Sequence, residues 1–270
     1  MYDNINFYDI IIKILYFTRR NKLKKSDAIK IVEILKETYP EAGCSLDFNT
    51  PFEIVVAVML SAQCTDERVN QVTPALFARC KTIKDFAEID IKKLEGLIHS
   101  CGFYKNKAKN IKLCAKQVLE NFNGVVPQNM EDLQSLAGVG RKSANVIMLE
   151  AFGNAQGIAV DTHVKRISNL IGLSKQSDPI KVEQDLLKIY PKKYYTDINH
   201  LFIWHGRNIC VARNPKCEIC PINMYCEHYN IKKWYIWIIY KVTNAIGKCL
   251  ETLNLRKWRS PNPFGKCHFL

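Results

Sequence analysis

The stretch that decides the fold is Leu136-Ala137-Gly138-Val139-Gly140-Arg141-Lys142-Ser143-Ala144-Asn145. A short apolar-periodic segment ends at Leu136, and a second helical pattern follows Gly140. Because glycine tolerates positive φ and a close neighbouring backbone, Gly138 and Gly140 favour a tight turn around Val139. The stretch therefore predicts a helix-hairpin-helix.

Such a hairpin can hold an anion. Amides at the start of the second helix point outward, where the helix dipole favours a group such as phosphate. The hairpin can thus grip a DNA backbone without reading its sequence, with Gly138, Val139, Gly140 and Arg141 as the predicted contacts. An ordinary turn between two helices has the same Gly-Val-Gly pattern, so the glycines alone leave both interpretations open.

Lys142 favours the functional interpretation. It lies in the first turn of the second helix beside Arg141, so the helix dipole and the neighbouring positive charge both disfavour its ammonium form. A lysine with a neutral amine is a candidate Schiff-base nucleophile.

Asp161 follows the apolar pair Ala159-Val160, nineteen residues after Lys142. It can be the N-cap of a helix, since Asp followed by Thr-His-Val-Lys-Arg is a plausible helix start. Capping does not exclude catalysis. A partly buried aspartate that faces a neutral lysine can stabilise a developing sugar cation or take a proton.

A four-cysteine pattern, C-x6-C-x2-C-x5-C, is formed by Cys210, Cys217, Cys220 and Cys226. Four thiolates within seventeen residues can converge on one metal centre, and zinc and an iron–sulfur cluster both accept four cysteines. The spacing leaves that choice open. Arg213 and Lys216 lie between the first two cysteines, so the metal centre is expected to shape a loop that contacts phosphate.

These three motifs together resemble the endonuclease III family of helix-hairpin-helix DNA glycosylases, over about residues 24–230. The resemblance implies a [4Fe–4S] cluster on the four cysteines. It also implies a bifunctional DNA glycosylase and abasic-site lyase of base excision repair, acting on double-stranded DNA with a damaged base or an abasic site. Lys142 would expel the base, an oxidised pyrimidine, and cleave 3′ of the site by β-elimination, assisted by Asp161.

Two loops resemble the segments with which the family replaces an extruded base. Gln63, within Ser61–Asp66, would fill the gap, and Phe103, within 101–108, would wedge into the base stack. A base whose sugar is attacked must leave the duplex, and inserted side chains offset part of the unstacking cost. The alternatives are a polar helix end and a surface aromatic. One departure from the family is Ala137, where proline is usual; we expect it to loosen the turn but keep its amides.

No alternation of period two appears, so the sequence predicts an all-α fold of two helical lobes with a cleft between them. Residues 45–154 would form a helical barrel lobe with the helix-hairpin-helix, and residues 22–44 with 155–230 an iron–sulfur cluster lobe. Residues 1–21 are an N-terminal extension, and residues 231–270 a basic, aromatic tail of unknown role. Helices are predicted over 24–39, 66–79, 82–88, 91–99, 105–121, 162–171, 180–190 and 194–213.

Composition agrees with an intracellular DNA-binding protein. More than half of the net charge of +13 lies in the tail, and the remainder still suits a polyanion. Asp9 and Lys13 interrupt the apolar run Phe7–Phe17, which lacks a signal-peptide cleavage site, and no run reaches the length of a membrane span. We therefore expect a cytoplasmic protein, monomeric, with no membrane partner.

Two rival functions remain. A monofunctional mismatch glycosylase of the same superfamily lacks a lysine at the position of Lys142 and has a larger C-terminal recognition domain. A non-catalytic iron–sulfur DNA-binding protein fits the hairpin and the cysteines, but it gives no reason for Lys142 and Asp161.

Overall fold

The computed structural model describes residues 23–252 as an all-α protein without strands in that range, which confirms the predicted fold class. The expected extension at 1–21 and the end of the tail beyond residue 252 lie outside the described residues. The helices are α1 Lys25–Thr38, α2 Pro51–Ser61, α3 Asp66–Arg79, α4 Ile83–Glu88, α5 Ile91–Ile98, α6 Tyr104–Asn121, α7 Met130–Ser135, α8 Arg141–Phe152, α9 Thr162–Ile171, α10 Pro179–Ile189, α11 Tyr195–Asn208 and α12 Glu227–Thr252.

Helix α2 is the centre of the barrel lobe. Thr50 caps it by accepting the Glu53 N–H, the Glu53 side chain accepts the Thr50 N–H, and Pro51 occupies the first position. Every residue from Ile54 to Leu60 is buried, so the helix is apolar on all sides. Helices α3 to α8 pack around it in one continuous core.

The cluster lobe has a second apolar core, formed mainly by α1, α9, α10 and α11. Ile31, Leu35, Ile167 and Phe202 are among its buried members, and α9 packs against α11, which also packs against α1. The buried residues of this core lie within 28–39 and 158–222, whereas those of the barrel core lie within 46–148. The predicted division at 44/45 and 154/155 falls between these two sets.

Helix α12 begins at Glu227 and continues to Thr252, so the predicted tail boundary at residue 231 lies within a helix. Near its start, the Lys175 Nζ lies 3.5 Å from the Glu227 carboxylate. Further along, Tyr235, Ile236 and Tyr240 are exposed. Among the described helices, none is long and apolar enough to span a membrane.

Candidate active site and metal centre

A cleft of about 430 Å³ lies between the two lobes. Both predicted catalytic residues line it, Lys142 from the first turn of α8 and Asp161 from the start of α9. The structure therefore brings the two predicted groups to one cavity. The other polar side chains around them include Gln63, Asp66, Glu150, His163, His200 and Arg207.

Asp161 is held firmly. It is the N-cap of α9, and its Oδ1 accepts the Val164 N–H at 2.7 Å. The carboxylate is only partly buried, so it faces the cleft while it caps the helix. The capping and the catalytic interpretations of the sequence are thus compatible in the structure.

Lys142, in contrast, is exposed. It lies in the first turn of α8, where backbone N–H groups have no hydrogen-bond partner within the helix. Gly140 caps α8 without a side-chain hydrogen bond, so the first N–H groups of the helix have no partner within it. These amides and the helix dipole point to the mouth of the hairpin, where an anion is favoured. The hairpin therefore has the backbone geometry that phosphate binding requires.

The Arg141 side chain is paired with a carboxylate, which the sequence did not predict. Its Nε and Nη2 donate to Glu183 Oε2 and Oε1 at 2.6 and 3.2 Å, and this hydrogen bonding raises the pKa of the guanidinium. Glu183, which also accepts from Asn145 at 2.9 Å, is buried in the cluster lobe. The positive charge that the sequence places beside Lys142 is therefore paired with the Glu183 carboxylate.

The hairpin turn is tightly held. Val139 donates its N–H to Leu136 O at 3.1 Å, Gly138 has φ +79°, and a Cβ on Gly138 would lie 2.9 Å from Asn110 Cβ. Only glycine combines this backbone conformation with so close an approach. The buried Val139 side chain anchors the turn to the barrel core.

Ala137 does not loosen this turn as expected. Its N–H donates to Gln117 Oε1 at 2.7 Å, a bond that proline could not make, and Gln117 Nε2 lies 3.5 Å from Ser135 O. A side chain of α6 therefore holds the position that proline stiffens in the family.

The two predicted intercalating residues share an unusual backbone. Gln63 has φ +55° and Phe103 has φ +47°, and both side chains are exposed, Phe103 to 66%. Non-glycine residues are uncommon in this left-handed region, and such strain persists where the surrounding structure imposes it. Gln63 lines the cleft, and Phe103 lies on the loop that precedes α6. Their insertion into DNA stays a prediction.

The four predicted metal ligands line one pocket beneath α9 and α11. All four are free thiols: Cys210, Cys217, Cys220 and Cys226. Burial raises the pKa of Cys210 and of Cys220 to about 11, and the charges of neighbouring cysteines add to this effect. Four thiolates gathered here thus need a positively charged centre, which is what a metal cluster provides.

The surroundings of the pocket also fit a buried metal centre. Arg166 Nη2 donates to the Cys210 carbonyl at 2.6 Å and orders the start of the loop. His205 lies 3.5 Å from Cys220 Sγ, and burial together with Arg166 lowers its pKa to about 4, so the ring is neutral. Within residues 23–252, no group of three or more His, Cys, Asp or Glu side chains is arranged to hold a single metal ion. The predicted phosphate contacts Arg213 and Lys216 are exposed on this loop.

Three residues of the site were missed by the sequence interpretation. His200 Nε2 and Glu150 Oε1 lie 2.7 Å apart in the cleft, and they connect α11 to α8. Glu183 lies on the apolar side of α10, next to Val182, where nothing in the sequence pattern distinguishes it from a solvated acid. Each acts through a residue far away in the chain, so no local motif could reveal it.

Comparison with known proteins agrees with this geometry. Residues 56–192 match the HhH-GPD superfamily base excision DNA repair protein family, and residues 210–226 match the iron-sulfur binding domain of endonuclease III. The second match begins at Cys210 and ends at Cys226.

Among curated proteins, endonuclease III of Synechocystis sp. is 50% identical over 77% of this chain and 95% of the relative. Endonuclease III of Escherichia coli (strain K12) is 38% identical over 76% and 97%. Two solved structures, a non-covalent endonuclease III–DNA complex and a trapped endonuclease III–DNA covalent intermediate, are each 39% identical over 78% of this chain and 99% of theirs, with TM-scores of 0.73 and 0.74.

Proposed function

Because the chain belongs to the endonuclease III family, we propose that Lys142 and Asp161 carry out its DNA glycosylase and abasic-site lyase reactions in the cleft between the lobes. The observation that carries this assignment is that the two side chains, from different helix starts and different lobes, line the same cavity. The chain is a bifunctional enzyme of base excision repair.

Lys142 acts as the nucleophile. In its neutral form, the Nζ lone pair attacks C1′ of the damaged nucleotide and the C1′–N bond breaks, so the base leaves with the bonding electrons and takes up a proton. Ring opening then gives an iminium between Nζ and C1′. Loss of a proton from C2′ and departure of the 3′ phosphate complete the β-elimination, and water releases the lysine.

Asp161 supports these steps electrostatically. Its Oδ1 stays bound to the Val164 amide, so the carboxylate keeps one orientation toward the cleft. A preorganised negative charge stabilises the positive charge that develops on the sugar, and the carboxylate can also relay protons. The helix cap therefore contributes to catalysis because it removes the freedom of the aspartate.

The surrounding residues bind the DNA. We assign phosphate contacts to the backbone of Gly138, Val139, Gly140 and Arg141, since the Arg141 guanidinium is already engaged by Glu183. Arg213 and Lys216 reach phosphate from the cysteine loop. Gln63 and Phe103 replace the extruded base in the stack. The substrates are oxidised pyrimidines, and the enzyme works as a monomer in the cytoplasm.

The cofactor is a [4Fe–4S] cluster. We assign its ligands as Cys210, Cys217, Cys220 and Cys226, which gather in one pocket. When bound, the cluster provides the cross-link that folds the loop between Ile209 and Cys226. The folded loop would keep Arg213 and Lys216 exposed for phosphate contacts, while Lys142 and Asp161 act at the sugar.

Borohydride trapping tests this proposal. Wild-type protein incubated with abasic duplex and borohydride should form a covalent protein–DNA complex, because reduction makes the imine permanent. Lys142→Gln should abolish trapping and strand cleavage but keep DNA binding. The matched control is Lys181→Gln, a first-turn lysine of α10 that lies outside the cleft. If the wild type releases the base but is not trapped, the protein is a monofunctional glycosylase. If it binds DNA and gives neither product, it is a non-catalytic protein. Trapping of Lys142→Gln would show that another amine is the nucleophile.

A further inference from the structure

Lys107 is a buried lysine that no part of the proposed mechanism uses. It lies in the first turn of α6 and is 6% exposed. Its Nζ donates to two backbone carbonyls, Leu60 O and Cys101 O, each at 2.8 Å. A buried ammonium is costly unless it is hydrogen-bonded, so these two bonds decide the conformation of the side chain.

The two carbonyls lie at the starts of the two loops that are proposed to enter the DNA. Leu60 lies three residues before Gln63, in the last turn of α2, and Cys101 lies two residues before Phe103, at the end of the short helical turn His99–Cys101. Helix ends leave carbonyls without partners and carry partial negative charge. One ammonium therefore satisfies the ends of two helical segments that are more than forty residues apart in the chain.

The backbone just beyond each carbonyl is strained. Gln63 and Phe103 are non-glycine residues at positive φ. Such conformations persist only where the neighbouring structure imposes them. Lys107 fixes the chain immediately before both of these segments.

We propose that Lys107 is a positioning residue that couples the Gln63 loop to the Phe103 loop, so that the two side chains enter the base stack together. The inference rests on the proposed function, because it needs both loops to act on DNA. Lys107 is buried and does not line the cleft that holds Lys142 and Asp161. Burial lowers the pKa of Lys107, which agrees with a site that is dry enough for these bonds to be strong.

The test compares two substrates that differ only in the cost of extruding the base. One is a damaged pyrimidine paired in a duplex, and the other is the same nucleotide in a short mismatched bubble, where little stacking is lost. Lys107→Met keeps the length of the side chain and removes the donor. Its kcat on the duplex should fall roughly tenfold, about 1.4 kcal/mol, with little change in KM, whereas its kcat on the bubble should change less than about twofold.

Lys112→Met is the matched control. Lys112 lies on the same helix and its Nζ also donates to a carbonyl, that of Ile89, which is remote from both loops. This variant should keep the wild-type ratio of duplex to bubble activity. A double-mutant cycle of Lys107→Met with Gln63→Ala adds an independent readout: if Lys107 acts through the loop, the two losses on the duplex should be clearly less than multiplicative.

Equal losses on duplex and bubble, or fully multiplicative losses in the cycle, would show a merely structural role and overturn the proposal. If Lys107→Met does not fold, Lys107→Gln, whose shorter donor cannot reach both carbonyls, should show the same selective loss. If neither variant folds, Lys107 serves the stability of the barrel lobe and the positioning role is rejected. Wild-type protein that forms no trapped complex would instead refute the proposed function, so the two failures are distinguishable.

Discussion

The barrel lobe and the cluster lobe hold their proposed DNA contacts in different ways. In the barrel lobe, the buried Val139 side chain anchors the hairpin. The Gln63 and Phe103 loops follow helical segments that pack in one core around α2. In the cluster lobe, the loop between Ile209 and Cys226 contributes Ile222 to the buried core, and its other described side chains are partly or fully exposed. Packing alone can therefore position the first set of groups, whereas we expect the second set to depend on the cofactor.

The two lobes also present their proposed catalytic groups differently. The barrel lobe contributes Lys142, an exposed and flexible side chain that can follow C1′ as the sugar opens. The cluster lobe contributes Asp161, whose orientation is fixed by the Val164 amide. This difference matches the chemistry, because a nucleophile must move along the reaction path and a stabilising charge acts best when it is preorganised.

Apart from Lys142→Gln, the largest effect is expected from Asp161→Asn. Asparagine caps helices as well as aspartate does, so α9 and its hydrogen bond to Val164 should persist, but the negative charge is lost. Turnover of abasic DNA should fall on the order of 10²–10⁴-fold with DNA binding retained, as measured by single-turnover nicking and by equilibrium binding.

The matched control is Asp178→Asn. Asp178 caps α10 through the same geometry, with Oδ1 accepting the Lys181 N–H at 3.0 Å, but it lies outside the cleft. Its turnover should stay within about twofold of the wild type, since only the charge at a remote cap changes. Equal losses in the two variants would mean that Asp161 matters as a cap and not as a charge.

An intermediate effect is expected from Cys220→Ala. Without one ligand, the cluster should be lost and the cysteine loop should unfold, while the barrel lobe stays folded because its core is independent. Loss of the Arg213 and Lys216 contacts should weaken DNA binding and reduce the slope of log K against log salt by about 2. The control is Cys114→Ala, which changes a buried cysteine of the barrel lobe. This variant should keep the iron content of the wild type and the same salt dependence of DNA binding.

Hydrogen exchange shows which residues lose stable structure in Cys220→Ala. Amides of residues 209–226 should lose protection in Cys220→Ala, and those of α2 should not. Loss of protection throughout α2 would show that the two lobes depend on one another and that the contrast between them is wrong.

The sequence was informative wherever structure depends on near neighbours. The predicted helices at 66–79, 82–88 and 91–99 agree with α3, α4 and α5 to within a residue, because caps and apolar periodicity are local signals. The hairpin glycines and the Asp161 cap were predicted for the same reason. The helix predicted over 194–213 ends at Asn208, so the Cys210 loop starts five residues earlier than the apolar pattern indicated.

Contacts between distant segments could not be predicted. Lys107 lies in the polar run Tyr104-Lys105-Asn106-Lys107 and looks like a solvated charge, but its Nζ donates to Leu60 O, forty-seven residues away in the chain, as well as to nearby Cys101 O. The Arg141 pair with Glu183 links residues that are forty-two apart. Periodicity predicts which face of a helix is buried. It does not predict which unpaired carbonyl or carboxylate of another segment will lie against that face.

The smallest effect is expected from the hairpin turn, where Gln117 compensates for the missing proline. Gln117→Ala removes the bond to the Ala137 N–H and should weaken binding to abasic DNA about two- to tenfold, the range of one neutral hydrogen bond. Ala137→Pro in that background should restore affinity, because proline has no N–H to satisfy and suits the position before a glycine of positive φ in a four-residue turn. The matched control is Gln134→Ala, a glutamine of α7 whose side chain donates to Met130 O in its own helix. Wild-type affinity in Gln117→Ala, or no recovery with proline, would show that the glycines and buried Val139 alone hold the hairpin.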